Sequence, residues 1–237
     1  MDRKAVDVKK NNTSLPEVKS VTASEVFESC NGQIVSAVIS VSKLYYFTLT
    51  NFLENKRKKL KNLNDKVYEM SKQTKELKNR SYEVIAKLQD DKTLESSLYY
   101  VQVVDAAYET SNSVLHIYKP VYEYIDNNNT PFSHIQTNEL TELNEEVSTF
   151  LNMILHTLKN RKYDNTSEDI RHQKMSVFTM LDTLKRKQLK RIKRQEVSTG
   201  NSMLYLNILT ETKNLILFTM NLVKANRSFY RTTIERG

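Results

Sequence analysis

The sequence predicts an all-α protein of about six long helices, arranged as two repeated antiparallel three-helix bundles. Three observations predict it. Helix breakers are scarce, with three glycines and three prolines in 237 residues. Apolar residues recur in steps of three and four over many consecutive turns. A shift of 105 residues also lays Tyr100-Val-Gln-Val-Val-Asp105 on Tyr205-Leu-Asn-Ile-Leu-Thr210, and places Leu115 on Met220, Ile117 on Leu222 and Lys119 on Lys224.

Met1 to Val21 is polar, mixed in charge and holds Pro16, which reads as a disordered arm or a linker, residues 1–21. Thr22-Ala-Ser-Glu25 is a capping-box pattern that starts the first helix. Its stripe is Phe27, Cys30, Ile34, Ala37, Val41 and Leu44, and it runs to about Leu53. After a turn near Glu54–Lys56, Leu60, Leu63, Val67, Met70, Thr74, Leu77, Ser81, Val84 and Leu88 keep unbroken steps of three and four, a coiled-coil-like second helix. Asp90-Asp-Lys-Thr93 supplies turn and cap chemistry, and a third helix follows over Leu94–Asp126, bent at Pro120. Asn127-Asn-Asn-Thr130-Pro131 is the clearest break and divides the chain into bundles at 22–127 and 128–237.

Thr130 as cap with Pro131 at the first helical position starts the fourth helix, whose stripe is Leu140, Leu143, Val147, Phe150, Ile154 and Leu158. Asp164-Asn-Thr-Ser167 closes it. The fifth carries Ile170, Val177, Leu181, Leu184 and Ile192, and Ser198-Thr-Gly200-Asn turns into a sixth from about Ser202 to Arg231.

In the two repeated helices the predicted core stripe is interrupted by polar residues. One reads Leu98, Val101, Asp105, Tyr108, Asn112 and Leu115, the other Met203, Leu206, Thr210, Lys213, Leu217 and Met220. A buried carboxylate is costly unless paired. Asp105 and Glu109 are one turn apart, so they can share a metal ion or a cation from a facing helix. The competing reading is a hydrogen-bonded network or a partly exposed helix face.

Several functional classes find no support. No stretch approaches the roughly 18 uncharged apolar residues of a membrane span, and the N-terminus lacks a signal-peptide core. There is no Gly-rich phosphate loop, no Cys/His metal spacing and no nucleophile elbow, so no enzyme is predicted. His116, His134, His156 and His172 are scattered one to a segment. Cys30 falls on the first apolar stripe as a small buried thiol, in keeping with a reducing cytoplasm.

Thirty-six basic against 28 acidic residues leave a net +8, which favours anionic partners. If neighbouring helices alternate in direction, Lys56, Arg57, Lys58, Lys59 and Lys61 share a pole with Lys185, Arg186, Lys187, Lys190, Arg191, Lys193 and Arg194. Asp90, Asp91, Asp164, Glu168 and Asp169 fall at the other. Such a dipolar rod suits an anionic lipid surface or an acidic transporter face. The competing readings are a solvated surface, a basic helical nucleic-acid binder tracking phosphates with Lys185–Arg194, and a coiled-coil module that assembles as a homo-oligomer. No nucleic-acid reading motif is present.

Tyr99-Tyr-Val-Gln-Val-Val-Asp105, His116-Ile-Tyr-Lys-Pro120, Tyr124-Ile-Asp-Asn127, Lys190-Arg-Ile-Lys193, Gln195-Glu-Val-Ser198, Asn201-Ser-Met-Leu-Tyr205 and Thr210-Glu-Thr-Lys-Asn-Leu215 carry a family resemblance. The chain resembles PhoU-like domains, and more closely the helical cytosolic domain of bacterial PiT-type inorganic phosphate transporters, over about Val21 to Tyr230. The resemblance implies a non-enzymatic regulatory or accessory domain of phosphate uptake, cytoplasmic at the inner face of the cell membrane. Its partner is a membrane phosphate transporter, in cis or in trans. It also implies metal binding through Glu/Asp-x-x-x-Asp motifs on the third helix of each repeat. The matching positions are Asp105 with Glu109 and Thr210 with Asn214, so the second copy lacks both carboxylates. Glu211 lies about 100° around the helix from the motif position. The expectation is therefore a single divalent ion at Asp105 and Glu109, rather than a multinuclear cluster.

Overall fold

The structure, a computed structural model, describes residues 22–88, 94–164 and 167–235. Five long helices and one interrupted helix make up the described chain. They are α1 (Ala23–Leu53), the short α2 (Arg57–Lys61), α3 (Asn64–Asn79) and α4 (Ser81–Ala86), then α5 (Leu94–Asp126), α6 (His134–Asn160), α7 (Ser167–Lys193) and α8 (Thr199–Tyr230). A π-helical turn, Arg231–Glu235, continues α8.

Local chemistry sets the ends. The Thr22 hydroxyl accepts from the Glu25 amide at 3.2 Å while the Glu25 carboxylate accepts from the Thr22 amide at 2.9 Å, the predicted box. In a chain so poor in glycine, non-glycine residues take the left-handed closing position. Asn55, Asn128, Arg161 and Gln195 have φ of 53°, 53°, 56° and 57°. Beside three of them the next amide reaches back five residues, Lys56 to Asn51 O, Asn129 to Tyr124 O and Glu196 to Arg191 O, at 2.7–3.2 Å. These Schellman closures stop α1, α5 and α7 and turn the chain back within a few residues.

Four boundaries differ from the sequence reading. The second helix is not continuous. At Leu63 the amide bonds to Leu60 O, a tighter turn, although across Arg80 the i to i−4 bonds persist at 3.0 and 3.2 Å. The predicted stripe survives these breaks, with Leu60, Val67, Met70, Thr74 and Ser81 buried. Ser133, not Thr130, caps the fourth helix, through a capping box with Gln136. Pro131 is thus left outside, because the Thr130 carbonyl accepts from the Tyr124 hydroxyl at 2.6 Å and Phe132 is wedged among Phe52, Tyr124 and Tyr205. α6 closes at Arg161, before Asp164. Ser198 caps α8 directly, its hydroxyl accepting from the Asn201 amide at 3.2 Å, so α8 starts before Ser202. The Asp90–Thr93 turn lies outside the described residues, and α5 runs without interruption through Pro120.

α1, α5, α8 and α6 form a central four-helix layer, with α3 packed on α1 and α5 and α7 packed on α6 and α8. The two repeats meet antiparallel. The hydroxyls of Tyr45 and Thr212 hydrogen-bond at 3.0 Å, and Asn226 donates to Asn31 at 3.0 Å, so position falls along α8 as it rises along α1. Likewise Asn144 on α6 donates to Thr50 Oγ1 at 3.1 Å. The hydrophobic core is continuous through both repeats. The 105-residue shift holds for burial as well as for residue type: Tyr100 and Tyr205, Val104 and Leu209, Ala107 and Thr212, Val114 and Thr219, and Ile117 and Leu222 are all buried.

The phase of the core stripe in these two helices needs correction. Leu98, Val101, Met203 and Leu217 are exposed, and so is Thr210, so the polar interruptions lie at the outer edge of the bundle. The buried face of α5 mixes small and hydroxyl residues, Ala106, Ala107, Thr110, Ser111 and Ser113, with Val103, Val104, Val114 and Ile117. The small side chains let α5 and α8 approach closely, and Thr110 and Thr219 hide their hydroxyls on carbonyls one turn back, each at 2.7 Å. Two single positions shift as well: Val38 rather than Ala37 is buried on α1, and Ile192 is exposed on α7. No helix among the described residues is long and apolar enough to cross a membrane.

Candidate functional site

α1, α5 and α7 end at one pole, and α2, α6 and α8 begin there, which brings both predicted basic segments to the same end. A polar network inside this pole fixes it. Gln136 donates to Asn201 at 2.8 Å and to Gln188 at 3.1 Å, joining α6, α7 and α8. One turn further along α6, buried Glu139 accepts from Arg191 at 2.7 Å and from the Tyr205 hydroxyl at 2.7 Å, with Lys187 Nζ at 3.3 Å. Burial pushes the Glu139 carboxyl up, but the donors Arg191, Tyr205 and Lys187 outweigh it and hold it below its ordinary value. The same charge pair outweighs desolvation at Arg191 and raises its pKa. Tyr205 is pushed up, first by burial and then by the carboxylate it donates to.

This network sorts the predicted basic residues. Arg191 is an internal ion-pair partner and not a surface cation. Lys56 is engaged by Glu54 at 2.5 Å, Arg57 by Asp126 at 2.6 Å and Arg194 by Glu196 at 3.7 Å. Lys58, Lys59, Lys61, Lys185, Arg186, Lys190 and Lys193 are exposed and make no ion pair among the described residues. Apolar side chains stand among them. Leu189 is 43% exposed, Ile192 38% and Met203 68%, and Ile192 and Met203 line a cleft of about 440 Å³ with Val197 and Leu206. The sequence reading missed Leu189, Val197 and Met203 as surface features. The signal was present in Leu189 and Ile192, three apart and interleaved with lysines.

At the opposite pole two of the expected acidic residues are neutralised by arginines, while Asp169 is exposed and makes no ion pair among the described residues. Asp164 is held by Arg227 and by Arg231, the latter at 2.8 Å, and Glu28 pairs with Arg161 and Glu168 with Arg171, both at 2.5 Å. Asp90 and Asp91 lie outside the described residues.

Asp105 and Glu109 sit on α5 at the bundle's edge, Asp105 ion-paired with Lys78 of α3. The Lys78 ammonium also lies 4.9 Å from the Tyr108 ring centroid. Its pKa is raised, chiefly by the Asp105 hydrogen bond, with a smaller contribution from Glu109. The cation beside the pair is therefore a lysine from a facing helix. No group of three or more His, Cys, Asp or Glu side chains converges among the described residues. In the second repeat Thr210 is exposed, while Glu211 turns toward α5, 3.7 Å from His116, and accepts from Asn214 at 3.3 Å. Cys30 is buried, and burial pushes its thiol up to about 12.

Compared by sequence, the chain matches no family model and none of the curated proteins. Its fold is similar to that of the phosphate transport system regulatory protein PhoU from Streptococcus pneumoniae, with a TM-score of 0.67 at 11% identity, over 90% of this chain and 98% of that one. The PhoU-like all-α fold expected from the sequence is thus found across nearly the whole chain.

Proposed function

We propose that the chain is a non-enzymatic regulatory body of inorganic phosphate transport, acting by docking on a membrane phosphate transporter from its cytoplasmic side. The observation that carries this reading is the correspondence of fold with a phosphate-transport regulator over 90% of this chain and 98% of that one. The basic pole supports it as the docking end, since its seven exposed cations, four of them on the end of α7 that α6 and α8 brace, suit an anionic partner. Attachment to a PiT-type transporter is the finer form of the same proposal.

The test is genetic and direct. Deleting the gene in its host should leave phosphate uptake high when external phosphate is abundant, and a tagged chain should co-purify with a phosphate transporter. Uptake that responds to phosphate as before, with no transporter recovered, would overturn the proposal.

A further inference from the structure

We propose that the turn between α7 and α8 is a bilayer-inserting tip that carries the protein end-on to anionic lipid. Ile192, Leu189 and Met203 are held against water within about one turn of the loop, whereas exposed apolar side chains of most monomers are scattered. One turn is about 5.4 Å of helix axis, inside the roughly 5–10 Å to which interfacial apolar faces sink below the headgroups. Val197 lies in the turn itself and lines the same cleft.

Charge then selects the occupant. Lys185, Lys190 and Lys193 border the apolar residues and make no ion pair among the described residues, and Lys58, Lys59 and Lys61 stand at the same pole across the end face. Apolar side chains flanked by cations on α7, with Glu196 in the turn engaged by Arg194, match an anionic bilayer surface, where the lysines meet phosphates and the apolar groups pass between them. A second copy brings like charges against like. A nucleic-acid backbone satisfies the cations but leaves Ile192 and Met203 in water or against phosphate. The Gln136–Gln188–Asn201 and Glu139–Arg191–Tyr205 contacts hold the tip rigid, so insertion requires no ordering of a loop. The proposal is independent of phosphate regulation, since a body docked only on protein would satisfy that reading and fail this one.

The experiment uses the full chain and vesicles of phosphatidylcholine, alone or mixed equally with phosphatidylglycerol. Val197→Cys labelled with a polarity-sensitive fluorophore reports insertion, and the burial of Cys30 keeps the label at one position. Flotation with the mixed vesicles only, and a blue shift at position 197 but none at Gln73→Cys on the side of α3, is the expected result. Lys190→Glu with Lys193→Glu should weaken vesicle binding more than tenfold, at about fivefold per lysine removed. Ile192→Ser with Met203→Ser should abolish the blue shift while leaving a weak, salt-sensitive association. Gln73, Lys190, Ile192, Lys193 and Met203 are exposed and Val197 is half-buried in the turn, and unchanged unfolding midpoints confirm intact variants. Equal binding to neutral vesicles, no spectral shift at 197, or binding to duplex DNA as tight as to vesicles would each overturn the proposal.

Discussion

The Tyr205 hydroxyl donates to Glu139 at 2.7 Å while Arg191 donates to the other carboxylate oxygen at the same distance, so one buried acid ties α6, α7 and α8 together. Removing one member of such a pair leaves a charge without its partner, a loss of about 3 kcal/mol or more. Glu139→Ala should therefore lower the denaturation midpoint strongly. The pH dependence follows in sign. A carboxyl held below its ordinary 4.5 contributes stability that is present above that pH and lost as pH falls through its folded value. Glu139→Gln should flatten this acid limb relative to wild type, as read from urea midpoints across the acid range.

The cap of α6 is a second point of decision. Ser133 and Gln136 satisfy each other's backbone amides, whereas Thr130 contributes only its carbonyl, to Tyr124. Ser133→Ala should cost about 1 kcal/mol and Thr130→Ala much less, measured by chemical denaturation. The reverse order would restore the Thr130–Pro131 start.

That boundary shows where the sequence is readable and where it is not. Thr22 with Glu25 and the span Leu94–Asp126 were legible because caps and breakers act locally. Ser133 with Gln136 has the same local capping-box spacing and was legible in the same way. The Thr130-Pro131 pair competed with it, and that pair is kept out of the helix because Phe132 is fixed by contacts with Phe52 and Tyr205, distant in sequence. The phase of α5 and α8 was misread for a related reason. Both faces of these helices are partly apolar, and the buried one is lined by Ala107, Thr110 and Ser111, while Leu98 and Val101 face out. Hydroxyls bonded to their own helix behave as small fillers, which residue type alone does not reveal. The buried Glu139 pair was invisible too, since its partners lie on other helices.

Between the repeats, Tyr45 and Thr212 are fully buried and hydrogen-bonded to each other at 3.0 Å. Thr212→Val alone strands the tyrosine hydroxyl, which should cost about 1–3 kcal/mol. Tyr45→Phe strands the threonine in the same way. The double variant removes both polar groups, so its loss should fall clearly short of the sum, a coupling read from a double-mutant cycle. Strict additivity would mean that the pair does not fasten the repeats.

Burial also silences Cys30, whose thiol is pushed up to about 12 by desolvation. The thiolate is the reactive form. At pH 8 the folded protein should resist a thiol reagent, and the modification rate should rise with denaturant in step with unfolding. Rapid labelling of the folded chain would place Cys30 at the surface.

The most informative test of the acidic pair turns on competition. Lys78 already neutralises Asp105, and Glu109 strengthens its hold, so a divalent ion must displace an ammonium before it can bind both carboxylates. Asp105 is half exposed, and Asp105→Asn should change stability by no more than about 1 kcal/mol. Lys78→Met removes the competitor while keeping most of the side chain's volume. Titration with manganese should then show tighter binding in Lys78→Met than in wild type, and a loss of that gain when Asp105→Asn is added. Tight stoichiometric binding that ignores both substitutions would place the ligands elsewhere in the chain.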